Sequence, residues 1–200
     1  MSKKTRKATA EYKSKETEVK VEINLDGTGK VAADTSVGFL DHMLDHLGKH
    51  SLMDITITAR GDLEVDAHHT VEGVAICLGQ ALSKALGSKA GIMRFGWAIV
   101  PMEDALAQVD VDLSGRAAVA FNVPFIGEKI GSFDTQLIEE FLRRFALSAQ
   151  MNLHVNVPYG SNDHHIAEAI FKALALALRT AKSHDPQRAN QIPSTKGKLQ

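Results

Sequence analysis

Two stretches of the chain carry the same donor set, His68-His69-Thr70-Val71-Glu72 and His164-His165-Ile166-Ala167-Glu168. On a helix, residues four apart share a face, whereas neighbours diverge by about 100°. His68 and Glu72 can therefore reach one metal ion together, as can His164 and Glu168, while His69 and His165 must serve a different centre. Two such helices related by a pseudo-twofold axis would build two metal sites. Each would take a His–Glu pair from one repeat and a lone histidine from the other. Imidazole and carboxylate donors without thiolate suit manganese, iron, cobalt or zinc. A lone His-His pair is readily explained as surface or satisfied core, but the doubled motif is not. Four imidazoles and two carboxylates left unpaired beside a core would be costly.

The surrounding text predicts the elements that hold these donors. Val71, Val74, Ala75, Leu78 and Leu82 follow the first motif at the spacing of one buried helical face. Ile166, Ala169, Ile170, Ala173, Leu174, Ala177 and Leu178 do the same after the second. Asp66 and Asn162-Asp163 are cap candidates at the two helix starts. Val19, Val21, Ile23 and Leu25 alternate with polar residues up to Asp26-Gly27, which reads as a strand ending in a hairpin turn. Val109, Val111 and Leu113 repeat the pattern up to Ser114-Gly115. Phe39 to Leu47 reads as a helix leading to a strand with Ile55 and Ile57, and Ile138 to Ala146 as a helix leading to Leu153, Val155 and Val157. The chain is thus a duplicated strand-strand-helix-strand-helix unit, with the join between Gly87 and Gly96. The expected fold is one α+β domain over residues 1–200, with pseudo-twofold symmetry, made of repeats at about 8–90 and 91–182 plus a C-terminal tail.

The repeat alignment yields a further pair of donors. Setting Asp54-Ile55 on Asn152-Leu153 places His42 opposite Glu140, and both can ligate a metal. They are predicted to be equivalent ligands in the two sites. Arg94, Arg116 and Lys172 are isolated cations in apolar or small-residue text, and Pro193-Ser194-Thr195-Lys196-Gly197 combines hydroxyls, an ammonium and a permissive glycine. Together they suggest a phosphate cradle with Ser194 and Lys196 at its centre. No Walker-type or GxGxxG stretch points to a nucleotide.

Composition narrows the classes. At 44% hydrophobic and 24% charged, the chain is ordinary for a globular protein, and a net charge of −1 gives no pull toward nucleic acid or an anionic membrane. No stretch of about 18 apolar residues predicts a membrane span, and the opening does not read as a signal peptide. Lys3-Lys4-Thr5-Arg6-Lys7 reads as a solvated, frayed terminus. The single cysteine, Cys77, sits in apolar text as a buried thiol, and a reducing, cytoplasmic setting is expected. Of the nine histidines, His46 and His154 read as structural and His184 as a loop residue.

These residues resemble the imidazoleglycerol-phosphate dehydratase family over nearly the whole chain. The matching text is Lys15-Glu16-Thr17, Leu25-Asp26-Gly27-Thr28-Gly29, Phe39-Leu40-Asp41-His42-Met43-Leu44, both HHxxE motifs, Asp112-Leu113-Ser114-Gly115-Arg116, Phe171-Lys172-Ala173 and Ile192-Pro193-Ser194-Thr195-Lys196-Gly197. The resemblance implies helices packed between two four-stranded sheets, and a homo-oligomer of 24 subunits with sites between them. It also implies two divalent metal ions per site, usually Mn2+. The implied metal ligands are His42, His68, His69, Glu72, His164, His165 and Glu168, with Glu140 where some members have histidine. The implied substrate contacts are Glu16, His50, Arg94, Arg116, Lys172, Ser194 and Lys196. The implied reaction is loss of water from imidazole glycerol phosphate, a small phosphorylated imidazole, with Glu168, Glu16 and His50 as candidates for proton transfer. The chain departs from the family pattern at Gly73, where an acidic residue is usual, and in the order Met102-Glu103-Asp104, which leaves the roles of Glu103 and Asp104 open. Two rivals use the same donors: a dinuclear metallohydrolase of phosphate esters, and a metal-storage shell. The second gives Arg94, Arg116, Lys172 and the Ser194–Lys196 segment no task.

Overall fold

The structure is a computed structural model and describes residues 5–189 and 191–199. Its elements run β1 (Lys7–Lys13), β2 (Thr17–Asn24), β3 (Val31–Asp34), α1 (Gly38–Ser51), β4 (Asp54–Gly61) and α2 (His68–Leu86), followed by β5 (Phe95–Met102), β6 (Ala105–Asp112), β7 (Ala118–Asn122), the short pair β8 (Lys129–Ile130) and β9 (Phe133–Asp134), α3 (Gln136–Ala149), β10 (Asn152–Tyr159) and α4 (Asp163–Ala181). The two halves build sheets of the same topology, β1-β2-β4-β3 and β5-β6-β10-β7. The α+β class and the two four-stranded sheets are as expected. Each half's four-stranded sheet holds one strand more than the sequence pattern suggested, β3 or β7, and the second half adds the short β8–β9 pair before α3.

Those extra strands change the meaning of two turns. Asp26-Gly27 was expected to close a hairpin, but β3 pairs in parallel with β4 and never with β2. Both edges of β2 are already taken. β1 pairs along one, and β4 along the other, with Val19 opposite Ala59, Val21 opposite Ile57 and Ile23 opposite Ile55. The chain must therefore cross beyond β4. Asp54 holds that crossing in place by accepting hydrogen bonds from the Thr28 and Lys30 amides at 2.8 and 3.1 Å. After Ser114-Gly115, β7 runs parallel to β10 in the same way.

Each sheet turns its alternating apolar face inward: Val19, Val21, Ile23, Ile55 and Ile57 on one side, Ala107, Val109, Val111, Leu153 and Val155 on the other, all buried. α2 covers β1 and β2 while α4 covers β5 and β6, and the helices of the two halves meet between the sheets along two seams, α1 on α4 and α2 on α3. The four helices thus bring donors of one repeat against donors of the other. At the α2–α3 seam Gly79 lets the backbones close in, since a Cβ there would lie 2.6 Å from the Phe145 carbonyl oxygen and 2.7 Å from Ser148 Cβ.

The N-terminal basic run departs from its reading as a frayed end. Lys3 and Lys4 lie outside the described residues, but Lys7 begins β1, and Arg6 pairs with Asp26 and donates to the Lys182 carbonyl at 2.6 Å. The Lys182 ammonium is itself buried and donates to the Leu25 carbonyl at 2.6 Å. Burial, helped by the charge of Arg6, lowers it to about 8. Cys77 is buried as expected, and burial pushes its thiol up to about 11. No helix among the described residues is long and apolar enough to cross a membrane.

Two stability measurements follow. Gly79→Ala should cost roughly 1–3 kcal/mol in urea denaturation through overpacking of the seam; an unchanged midpoint would show that the helices can separate freely. For Lys182 the sign follows from its lowered folded value. Between about pH 8 and the ordinary 10.5, the unfolded chain keeps a proton that the folded chain has released. Stability should therefore gain a contribution as pH rises through that window. The difference between wild type and Lys182→Met, measured on either side of it, isolates that contribution.

Candidate metal centre

Four-residue spacing places a stripe of donors on each helix of the α1–α4 seam. α1 presents His42, His46 and His50, whose rings succeed one another at centroid distances of 4.6 and 5.9 Å. α4 presents His164, Glu168 and Lys172. The stripes meet at Glu168, whose Oε1 lies 2.8 Å from His42 Nε2 and 3.1 Å from His164 Nε2, and whose Oε2 accepts from Lys172 Nζ at 2.6 Å. Among the described residues, His42, His164 and Glu168 form a three-donor group with all ligand atoms within 4.8 Å of one another. Phe39 packs edge-on to the rings of His42 and His164, and Phe133 of β9 backs Phe39 at 5.0 Å. The rings are therefore held by packing as well as by polar contacts.

Glu168 is 6% exposed. Burial works against its charge, but the hydrogen bonds from Lys172, His42 and His164 outweigh it and hold the carboxyl well below the usual carboxylate range. His46 was expected to be structural, yet it points at the same oxygen. Its Nε2 is buried without a hydrogen-bond partner among the described residues and lies 3.4 Å from Glu168 Oε1. Burial lowers its basicity. A buried imidazole nitrogen without a partner, beside two further imidazoles and a carboxylate, is a donor set that fits a divalent transition metal.

The α2–α3 seam is the counterpart. His68 and Glu72 share a face of α2, and Glu140 of α3 brings Oε1 to 3.9 Å from His68 Nε2. His42 and Glu140 thus occupy matching places, each facing a His–Glu pair from the other repeat. Arg144, four residues after Glu140, reaches Glu140 Oε1 at 2.6 Å and Glu72 Oε1 at 3.0 Å.

His69 and His165 do not join either cluster within the chain, contrary to the expectation that each would complete the other repeat's site. The two HHxxE helices line different seams, so the lone histidines diverge from them. His69 Nδ1 faces Asp62 at 3.0 Å, and His165 Nδ1 faces Asp104. A carboxylate on Nδ1 orients the ring and leaves Nε2 to bind a metal. The hydrogen bond that His69 donates to Asp62 raises the His69 pKa, and the one that His165 donates to Asp104 is the first of several holding Asp104 well below the usual range. Asp104 also accepts from the Ser161 and Asn162 amides, which fixes the entry to α4. Asp62 escaped notice, and the role of Asp104 stayed open, because only the folded chain brings them beside histidines. At the helix starts, Asn162 caps α4 by accepting from His164 N, whereas at α2 the cap position is Ala67 and Asp66 reaches the His68 amide from one residue further out.

The remaining candidates divide into three places. Arg94, Arg116, Ser194 and Lys196 line one cavity of about 300 Å³ together with Ser114 and Thr195. Arg94 binds Asp112 through two hydrogen bonds, at 2.6 and 2.9 Å, and donates to the Pro193 carbonyl at 2.8 Å, so it ties the tail to β6. Lys172 is not in this cradle; its ammonium belongs to Glu168 and to Met102 Sδ at 3.1 Å. His50 ends the α1 stripe, its basicity lowered by burial, Lys172 and Lys49. Glu16 lies in the β1–β2 turn, where its carbonyl accepts from Asp62 N, near His69 and away from Glu168. His154 is exposed on β10, and His184 bridges to Ile92.

A duplicated α+β fold with paired His/carboxylate arrays on two helix seams, and a separate basic cradle, defines a metal-binding protein equipped for an anionic ligand. Comparison with known proteins makes this specific. The family model described as imidazoleglycerol-phosphate dehydratase matches residues 35–178. The imidazoleglycerol-phosphate dehydratase of Granulibacter bethesdensis is 55% identical over 195 residues, covering 98% of this chain and all of the relative. That of Desulforudis audaxviator is 57% identical over 192 residues, 96% of this chain and 97% of the relative. Among solved structures, the Staphylococcus aureus enzyme superposes with a TM-score of 0.80 at 36% identity, covering 88% of this chain and 99% of that one, and the Pyrococcus furiosus enzyme with 0.81 at 38% identity, covering 94% and 99%. The chain belongs to the imidazoleglycerol-phosphate dehydratase family.

Metal binding can be read without any substrate. Adding Mn2+ to chelator-stripped protein should raise its melting temperature, since a ligand at about 100 times its Kd stabilises the folded state by about 2.7 kcal/mol. His164→Ala should lose most of that increment, whereas a full increment in this variant would remove the α1–α4 seam from the site.

Proposed function

We propose that the chain dehydrates imidazole glycerol phosphate to imidazole acetol phosphate in histidine biosynthesis, with bound divalent metal. The observation that carries the reading is the pair of seams, each facing a His–Glu pair with a further donor from the other repeat, in a chain of this family. His42, His68, His69, Glu72, Glu140, His164, His165 and Glu168 would hold the metal. Two divalent ions per site, Mn2+ by preference, would supply Lewis-acid stabilisation of negative charge on the substrate's imidazole ring.

The chain's own groups supply the rest. Arg116, Ser194 and Lys196, with Arg94 fixing the tail, hold the phosphate end and so orient the ring toward the histidines. Lys172 and His50 line the approach along the α1–α4 seam, and Glu16 contacts substrate from the β1–β2 turn. Of the proton-transfer candidates, Glu168 is stabilised as an anion by three donors, which suits a ligand better than a base. His50, its basicity lowered by burial and by Lys172, is the candidate to accept a proton, and Glu16 is the second. The working unit is a cytoplasmic homo-oligomer of 24 subunits. His69 and His165, turned outward by Asp62 and Asp104, complete sites on neighbouring copies. Each subunit is one domain of two repeats, about 8–90 and 91–182, followed by the substrate-binding tail.

The test is turnover of imidazole glycerol phosphate by chelator-stripped protein with and without Mn2+. Metal-dependent formation of imidazole acetol phosphate is expected, and Arg116→Ala or Lys196→Ala should lower kcat/KM on the order of 10- to 100-fold while metal uptake stays intact, as the loss of a charge-assisted hydrogen bond predicts. Tight metal uptake without this product, but with hydrolysis of simple phosphate esters, would replace the reading with a metallohydrolase.

A further inference from the structure

The two seams are built on one plan but differ at one matched position. In the repeat alignment that sets His42 on Glu140, the next residue along the stripe is His46 on α1 and Arg144 on α3. His46 brings an imidazole, a group with a lone pair to offer, to within 3.4 Å of the seam's carboxylate, Glu168 Oε1. Arg144 brings a permanent positive charge, and its guanidinium contacts Oε1 of both carboxylates of its seam, Glu140 at 2.6 Å and Glu72 at 3.0 Å. The α1–α4 seam also has a cation, Lys172, but it engages the far oxygen Oε2 of Glu168 and leaves Oε1 to the histidines. The fork of Arg144 instead engages an oxygen on each of the carboxylates that a metal would need.

We propose that Arg144 is a tethered counter-cation that competes with divalent metal for Glu72 and Glu140, so that metal loads in two steps, first at His42, His164 and Glu168 and then, more weakly, at the α2–α3 seam. The inference rests on the metal-binding reading above. A guanidinium suits this role because it stays charged at every accessible pH and matches carboxylate geometry, and it offers no lone pair to a metal. Metal entering the α2–α3 seam must displace it, whereas metal entering the α1–α4 seam finds imidazoles that become ligands.

The experiment is titration of the chelator-stripped full chain with Mn2+, followed by calorimetry and by the electron paramagnetic resonance signal of free Mn2+. Wild type should show a tight and a weak class of sites, and His42→Ala should remove the tight one. Arg144→Ala should tighten the weak class by about tenfold or more and leave the tight class within a factor of two. Arg143→Ala, which breaks the neighbouring exposed pair with Glu139, should change neither class and controls for general loss of positive charge from α3. A single class in wild type, or an Arg144→Ala protein whose weak class is unchanged or weaker, would overturn the proposal. No Mn2+ uptake by folded wild type would instead sink the metal-binding reading itself, so the two failures are distinguishable.

Discussion

Packing of helices from opposite repeats, α1 on α4 and α2 on α3, is the contact on which the site depends. Neither HHxxE helix carries enough donors for a metal by itself. A third donor comes from the helix across the seam, and it can arrive only if the two backbones approach at a fixed distance and register. Burial of both inner sheet faces supplies the force, and small residues such as Gly79 set the distance. The metal centre is thus a by-product of duplicated-sheet packing: the surfaces that make one domain out of two repeats are the surfaces that assemble the ligands.

The charges at the seams obey the same constraint. A carboxylate as buried as Glu168 persists as an anion only because three donors converge on it, and those donors lie on helices that the core has already fixed. His69 and His165 are held differently. Each is oriented by one carboxylate outside the helices, through Nδ1, which leaves its other nitrogen clear of that contact.

Much of this was legible in the amino-acid order. Strict periodicity on α2 and α4, alternation on β2, β6 and β10, and the doubled HHxxE text all report local geometry, which sequence spacing encodes directly. The match of His42 to Glu140 was also accessible, because the repeats keep their spacing from helix to strand. What escaped had a non-local cause. β3 and β7 are short and half-exposed, and their partners lie beyond a crossover, so the Asp26-Gly27 turn looked like a hairpin. The six residues between Asn24 and Val31 were the available hint, since that is long for a tight hairpin. His46 reads as structural because nothing in its spacing distinguishes a core histidine from one aimed at a carboxylate across a seam. The neat exchange of lone histidines between repeats failed because the two motif helices line different seams. No local pattern states which helix a given helix will pack against.

The single cysteine gives the molecule a built-in reporter. Cys77 sits in the middle of α2, fully shielded, on the helix that carries His68 and Glu72 and covers β1 and β2. Its thiol is both inaccessible and held in the unreactive protonated form at neutral pH. An alkylating reagent can consume it only when α2 leaves its sheet, so the rate of alkylation measures how often the metal-bearing helix opens, with no label added and no second thiol to confuse the signal.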